Sequence, residues 1–221
     1  MGIVIAIDGP AGAGKSTIAR RLAERLDFLY IDSGAMYRAV ALWALGQHLD
    51  PADHHRMEQL ARAASITLVA EGSRVLLNGE DVTEAIRVPE VTQAASVVAT
   101  IAGVRRALVE KQRAIGKENN VVMEGRDIGS VVFPNADLKI FLDADTAERA
   151  RRRTVEVNGD PAAISREMQE RDQRDRTRIE APLTQAPDAV YLDSTRLSIG
   201  EVEEAILRLV RARITNGKEF R

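Results

Sequence analysis

Short apolar runs alternate along this chain with longer stretches of helical periodicity. Ile3–Asp8, Phe28–Ile31, Asn120–Glu124, Leu138–Leu142 and Ala189–Asp193 are brief and apolar, and most close on an acidic or small polar residue, as expected of strands buried on both faces. Between them, Ser16–Leu26, Ala35–Leu45, Pro89–Ile115, Thr146–Val157, Ala162–Arg178 and Ile199–Ile214 read as helices. In the first of these, Ile18, Leu22 and Leu26 stand at i, i+4 and i+8. The alternation predicts an α/β fold: a five-stranded parallel sheet with right-handed crossovers, flanked by helices, with its site at the carboxyl ends of the strands.

One segment departs from that rhythm. Ser65–Thr83 holds short β runs separated by turn residues, with Asn78-Gly79 as a hairpin signal, and a helix over roughly 52–64 precedes it. It predicts a small antiparallel insert, or else an extra edge hairpin of the main sheet. Pro89–Ile115 is long for one helix, and Gly103 is the expected break. Ser96 and Arg105, which face opposite ways on a continuous helix at about 100° per residue, share a ligand only if such a break exists.

Composition narrows the class. The chain has 221 residues, 45% of them hydrophobic and only 4% aromatic, so Ala, Val, Ile and Leu must build the core. One compact unit over 1–221 is expected, with an insert near 62–90. Net charge is −2, which argues against a general nucleic-acid binder. Cysteine is absent, removing disulfides, thiolate nucleophiles and Cys-zinc sites. No apolar run reaches the roughly 20 residues of a membrane span, and with the first strand starting almost at once, no signal peptide is expected. A cytoplasmic monomer is expected. His48, His54 and His55 lie away from every motif and read as surface residues.

The chemistry begins at Gly9-Pro10-Ala11-Gly12-Ala13-Gly14-Lys15-Ser16, which fits the phosphate-loop pattern between a strand and a helix. Backbone N–H groups at the helix start favour a polyphosphate, Lys15 reaches its β/γ oxygens, and the Ser16 hydroxyl suits Mg²⁺. Asp32-Ser33-Gly34 follows the second strand, with Ser33 a candidate N-cap and Arg38 one turn into the helix, ready for an anionic acceptor. Glu124-Gly125-Arg126-Asp127 closes the third strand and offers a phosphate clamp and a carboxylate acceptor. Arg171, Arg174, Asp175 and Arg178 share one helix face, three guanidiniums around one carboxylate. The charged block Glu148–Arg178 also reads as a solvated helical surface.

These motifs resemble the bacterial cytidylate kinases from the first strand to the last: I-D-G-P-A-G-A-G-K-S-T (7–17), D-S-G-A-M-Y-R (32–38), N-G-E-D-V-T (78–83), G-R-D-I-G-S-V-V-F-P (125–134), K-I-F-L-D-A (139–144), E-R-D-Q-R-D-R-T-R (170–178) and L-D-S-T (192–195). Ala11 and Ser16 stand where relatives often carry Ser and Gly; neither change removes a backbone N–H. The resemblance implies transfer of the γ-phosphoryl group of ATP to CMP or dCMP with Mg²⁺. It implies that Gly9, Pro10, Ala11, Gly12, Ala13, Gly14, Lys15, Ser16 and Thr17 hold the ATP phosphates. Ser96, Arg105 and Asp127 then read cytosine, Arg38, Arg126 and Arg178 hold the CMP phosphate, Arg171 and Asp175 contact the sugar, and Ser33 lies alongside. Lys15, Arg126 and Asp127 are the expected catalytic set. The insert is similar to the family's monophosphate-binding domain. A short lid near 149–162 is expected, with Arg149, Arg152 and Arg153 as its candidates. A kinase for UMP, AMP or shikimate is the nearest rival; a GTP switch lacks its N-K-x-D motif, and an RNA-binding ATPase is disfavoured by the acidic balance.

Overall fold

The computed structural model describes residues 2–69 and 74–214. Its N-terminal apolar run forms β1 (Val4–Asp8), followed by α1 (Lys15–Leu26), β2 (Leu29–Asp32), α2 (Ser33–Gly46) and α3 (His54–Ala63). Then come β3 (Ile66–Val69), β4 (Arg74–Leu77), β5 (Glu80–Asp81), α4 (Pro89–Val98), α5 (Ala102–Glu118) and β6 (Val121–Gly125). The chain continues through β7 (Leu138–Asp143), α6 (Thr146–Val157), α7 (Pro161–Thr177), β8 (Val190–Asp193) and α8 (Ile199–Ile214).

Five strands form a parallel sheet in the order β2-β6-β1-β7-β8. β1 is central, and its alternating side chains feed two cores. Ile3, Ile5 and Ile7 pack with Leu22 of α1 and Ile206 of α8, while Val4 and Ala6 pack with Met123 and Phe133 on the other face. Chain direction across the sheet reverses at β1, with β6 on one side and β7 on the other. The loops after β1 and β6 therefore open into the crevice where open α/β sheets bind ligands.

The insert is a separate antiparallel sheet, β3-β4-β5, not an edge hairpin. Asn78 and Gly79 both take positive φ at its turn, 52° and 89°, as the dipeptide predicts. Residues 70–73 of the expected insert lie outside the described residues. A third core joins this sheet to α2–α5 through Met36, Met57, Val75, Ile86, Val98 and Leu108.

The long helix is broken, but not at Gly103. The break falls at 99–101, where Thr100 and Ile101 donate backbone N–H bonds to Val97 and Val98 and the Thr100 hydroxyl donates to Val97 O at 2.7 Å. Gly103 lies inside the first turn of α5 for a different reason: a Cβ there would sit 2.1 Å from Glu58 Oε2 on α3. The helix start after β2 also differs from the sequence reading. Asp32 is the N-cap of α2, accepting from Ala35 N–H at 3.0 Å, so Ser33 is freed from capping. α5 runs three residues past the expected Ile115, to Glu118, and the other ends shift by one or two residues, within the ordinary fraying of helix and strand limits.

Candidate active site

A cleft of about 1150 Å³ runs along the carboxyl edge of the sheet. On one side lies the phosphate loop between β1 and α1. Gly12 and Gly14 take φ of 73° and 91°, which turns backbone N–H groups toward the cleft and leads Gly14 into the helix N-terminus. Lys15 is buried and donates from Nζ to Pro10 O at 2.6 Å. Burial, and then the nearby Arg126 guanidinium, push its pKa down to about 7. A polyphosphate would supply the counter-charge that restores it. Ala11, Ala13, Ser16 and Thr17 line the same side.

Glu124, at the end of β6, faces this loop. Its carboxylate accepts from Tyr30 Oη at 2.7 Å and faces the Ser16 hydroxyl, and burial is the main force holding its pKa up. The Ser33 hydroxyl donates to the Glu124 carbonyl at 2.6 Å, fastening the start of α2 to β6. Arg38 pairs with Asp32 at 2.7 Å while its Nε, in the cleft wall, is buried without a partner among the described residues. The Arg38 side chain is thus positioned by its own helix cap.

After β6 the chain makes a π-helical turn over Ile128–Val132, a geometry frequent at functional sites. Asp8 holds its entrance, accepting the N–H groups of Ile128 and Gly129 at 2.7 Å each. Burial raises the Asp8 pKa to about 6 against those two bonds. Arg113 holds the exit, donating to Val132 O and Val131 O. The clamped turn fixes Asp127, whose carboxylate meets Arg105 in a tight ion pair and Arg178 at 3.2 Å. Arg105 also donates to Ala99 O at 3.2 Å across the helix break and lies 5.6 Å over the Tyr37 ring. Ser96 stands one turn before that break. Its Oγ is buried in the cleft wall with no hydrogen-bond partner among the described residues. Ser96, Arg105 and Asp127 are thereby brought to one end of the cleft.

α7 supplies the remaining wall. Asp175 accepts from Arg126 Nε at 2.8 Å and lies 3.8 Å from Arg178. The basic neighbours hold its carboxyl below the ordinary value despite burial. Arg178 is the residue after α7, so it bridges the Asp127 and Asp175 carboxylates from the helix cap. Arg171 faces the cleft without an ion pair among the described residues, and burial followed by Arg126 lowers its pKa to about 10. Arg174 does not join this group: its Nε turns back to Glu170 O on its own helix, and Arg126 takes the place the sequence reading gave it. The reason is that the carboxylate meets an arginine arriving from β6, which helix spacing alone cannot reveal.

The lid arginines divide. Arg149 is buried, donating to Ala144 O, Ala11 O and Asp172, and so is a structural fixture and not a lid side chain. Arg152 is tied to Glu148 and to Ser194, whereas Arg153 makes an exposed pair with Glu156. The three histidines are exposed. Sequence reasoning quoted Asp8, Tyr37, Glu124 and Asp172 within motifs but gave none of them a role. The only signals were an acid directly before the first loop glycine and an acid ending an apolar strand run.

The cytidylate kinase family model matches residues 5–212. A cytidylate kinase of Solibacter usitatus (strain Ellin6076) is 66% identical over 225 residues, covering 99% of this chain and 96% of that protein. One from Geobacillus kaustophilus (strain HTA426) is 50% identical, covering 96% and 98%. Among solved structures, an uncharacterized protein from Eubacterium ventriosum aligns with a TM-score of 0.52 at 12% identity, covering 96% of this chain and 99% of that one, a likeness of fold alone.

Proposed function

The chain belongs to the cytidylate kinase family, and on that premise we infer that it transfers the γ-phosphoryl group of ATP to CMP or dCMP, giving ADP and CDP or dCDP. The observation that carries the reading is one continuous cleft joining the phosphate loop to the Asp127 carboxylate, which Arg105 and Arg178 hold oriented at its other end. An oriented, buried carboxylate beside the unpartnered Ser96 hydroxyl suits the amino-bearing edge of cytosine, because it accepts where uracil offers no donor.

The acceptor is already an anionic phosphate oxygen, so no general base is assigned. Catalysis is positioning plus charge neutralisation. Lys15 neutralises developing charge on the donor's β/γ oxygens. Arg38, Arg126 and Arg178 hold the CMP phosphate, and Arg171 with Asp175 holds the sugar. The Ser16 hydroxyl and the Glu124 carboxylate, which face each other, form a hard-oxygen donor set that fits Mg²⁺. There Mg²⁺ would supply positive charge against the donor phosphates. The β3–β5 module is read as the monophosphate-binding insert, about 62–90, and the α6–α7 junction as a short lid, about 149–162. A cytoplasmic monomer fits this role; no helix among the described residues is long and apolar enough to cross a membrane. A panel of nucleoside monophosphates assayed with ATP tests the reading: CMP and dCMP are expected to lead, and preference for UMP or AMP would overturn it.

A further inference from the structure

α7 carries two buried carboxylates one turn apart, and each is held by an arginine from a different side of the cleft. Asp175 takes Arg126 from the acceptor side. Asp172 takes Arg149 Nη1 at 2.6 Å and the backbone N–H of Ala11, in the phosphate loop, at 3.4 Å. Arg149 Nη1 also donates to the Ala11 carbonyl at 3.0 Å. Both backbone polar groups of one loop residue thus end on the Arg149–Asp172 pair. The other Arg149 donors go to Ala144 O and Thr146 Oγ1, which fixes the guanidinium to the start of α6. Packing makes the joint tight: a Cβ at Gly12 would sit 2.8 Å from both Arg149 O and Met168 Cε.

A stabilising ion pair alone would account for the burial. Its location does more. One end grips the loop that holds ATP, and the other grips the helix that presents Arg171, Asp175 and, at its cap, Arg178. A buried pair has little slack, since separating it leaves an uncompensated charge.

We propose that Arg149 and Asp172 are positioning residues that couple the two halves of the cleft. Ordering of the phosphate loop around ATP is transmitted through Ala11 to α7 and tightens binding of the acceptor nucleotide; by linkage, the acceptor tightens ATP by the same factor. The proposal rests on the reading of ATP as donor and CMP as acceptor.

The test is calorimetric titration of CMP into the full-length protein, with and without a non-hydrolysable ATP analogue and Mg²⁺. In the wild type the analogue is expected to tighten CMP by about fivefold or more. Asp172→Asn keeps the shape and an acceptor for Ala11 but removes the nearer of the two carboxylates facing Arg149, leaving Asp143 at 3.7 Å. Its CMP affinity without the analogue is expected to stay within about twofold of wild type, while the tightening falls below about twofold. Arg149→Lys is expected to uncouple likewise, and it carries the test if Asp172→Asn does not fold. A wild type without tightening overturns the proposal. So does a variant that weakens CMP equally with and without the analogue, the signature of a merely structural contact. CMP turnover by a wild type whose coupling survives both substitutions sinks the coupling alone. Failure of the wild type to bind or phosphorylate CMP sinks the kinase reading, and the coupling with it.

Discussion

Around the phosphate loop the cleft presents backbone: glycines with positive φ, the N-terminus of α1, and one buried lysine amine resting on Pro10 O. Across the cleft it presents side chains, with Arg105, Arg126 and Arg178 interlocked with Asp127 and Asp175. Backbone N–H groups recognise any polyphosphate and cost nothing to reorganise. An arginine–aspartate lattice recognises one arrangement of donors and acceptors, because each member left unpaired is a buried charge. On the proposed function, the donor side is built for affinity and the acceptor side for discrimination.

The most severe break is on the donor side. Lys15→Ala is expected to lower kcat about 10²–10³-fold with the melting temperature kept, measured by steady-state assay and thermal scan. Near-normal kcat in a folded variant would remove Lys15 from the chemistry.

On the acceptor side the penalty falls on selectivity and stability together. Asp127→Ala takes the only carboxylate partner from Arg105 among the described residues, leaves Arg178 with Asp175 alone, and is expected to cost about 3–5 kcal/mol of stability. The kinetics are therefore read in Asp127→Asn, which offers cytosine a neutral amide. Its preference for CMP over UMP in kcat/KM is expected to fall by tenfold or more (roughly 1.4 kcal/mol), with the KM for ATP little changed. An equal fractional loss on both substrates would deny Asp127 the base.

Asp175→Ala sharpens the contrast within the acceptor side. Loss of a sugar contact is expected to move the CMP-to-dCMP ratio of kcat/KM about tenfold, since only the 2′-hydroxyl separates the two. A merely structural pairing with Arg126 and Arg178 would leave the ratio unmoved.

A smaller effect follows from pH. Free Lys15 has its pKa lowered to about 7 by burial, and bound phosphates stabilise its charged form. Above pH 7 the free protein has lost that proton and the complex holds it, so ATP binding takes up a proton. Affinity is then expected to decline as pH rises from 7, by less than about tenfold per unit. Calorimetry at pH 8 in two buffers of different ionisation enthalpy measures the uptake, and Lys15→Met is expected to abolish it. Least of all, Arg151→Ala removes only an exposed pair with Glu148 and is expected to leave kcat/KM within about twofold.

The same contrast governs what could be read without coordinates. A backbone site is local: strand, glycines and helix lie within Val4–Leu26, so the loop was legible from spacing and order. The strand–helix alternation gave the sheet equally well, and Asn78-Gly79 gave the separate module. A lattice site is not local. Arg126 meets Asp175, and Arg105 meets Asp127, only after β6, α5 and α7 converge, and no periodicity records that. Local spacing singled out Arg126, Asp127 and Asp175, and the resemblance implied their roles; helix spacing misassigned Arg174, and Arg149, expected as a lid candidate, is instead buried on Asp172. Gly103 teaches a related point. A glycine between two helical stretches reads as a breaker, whereas here it makes room for Glu58.

The position of β1 sets an order of events as the chain leaves the ribosome. Val4 pairs with Val121 and Ile5 with Leu138, so the first strand made must wait for neighbours made much later. The core of α2–α5 and the small sheet, by contrast, draws on Ala35 through Leu108 without interruption. Contacts that close short loops form sooner than those that close long ones. The insert side is therefore expected to condense on the nascent chain first, with β1 still unpaired, and the sheet to zip only when β6 and β7 emerge. Pulsed hydrogen exchange during refolding would see amides of Met36 and Leu108 protected before those of Ile5.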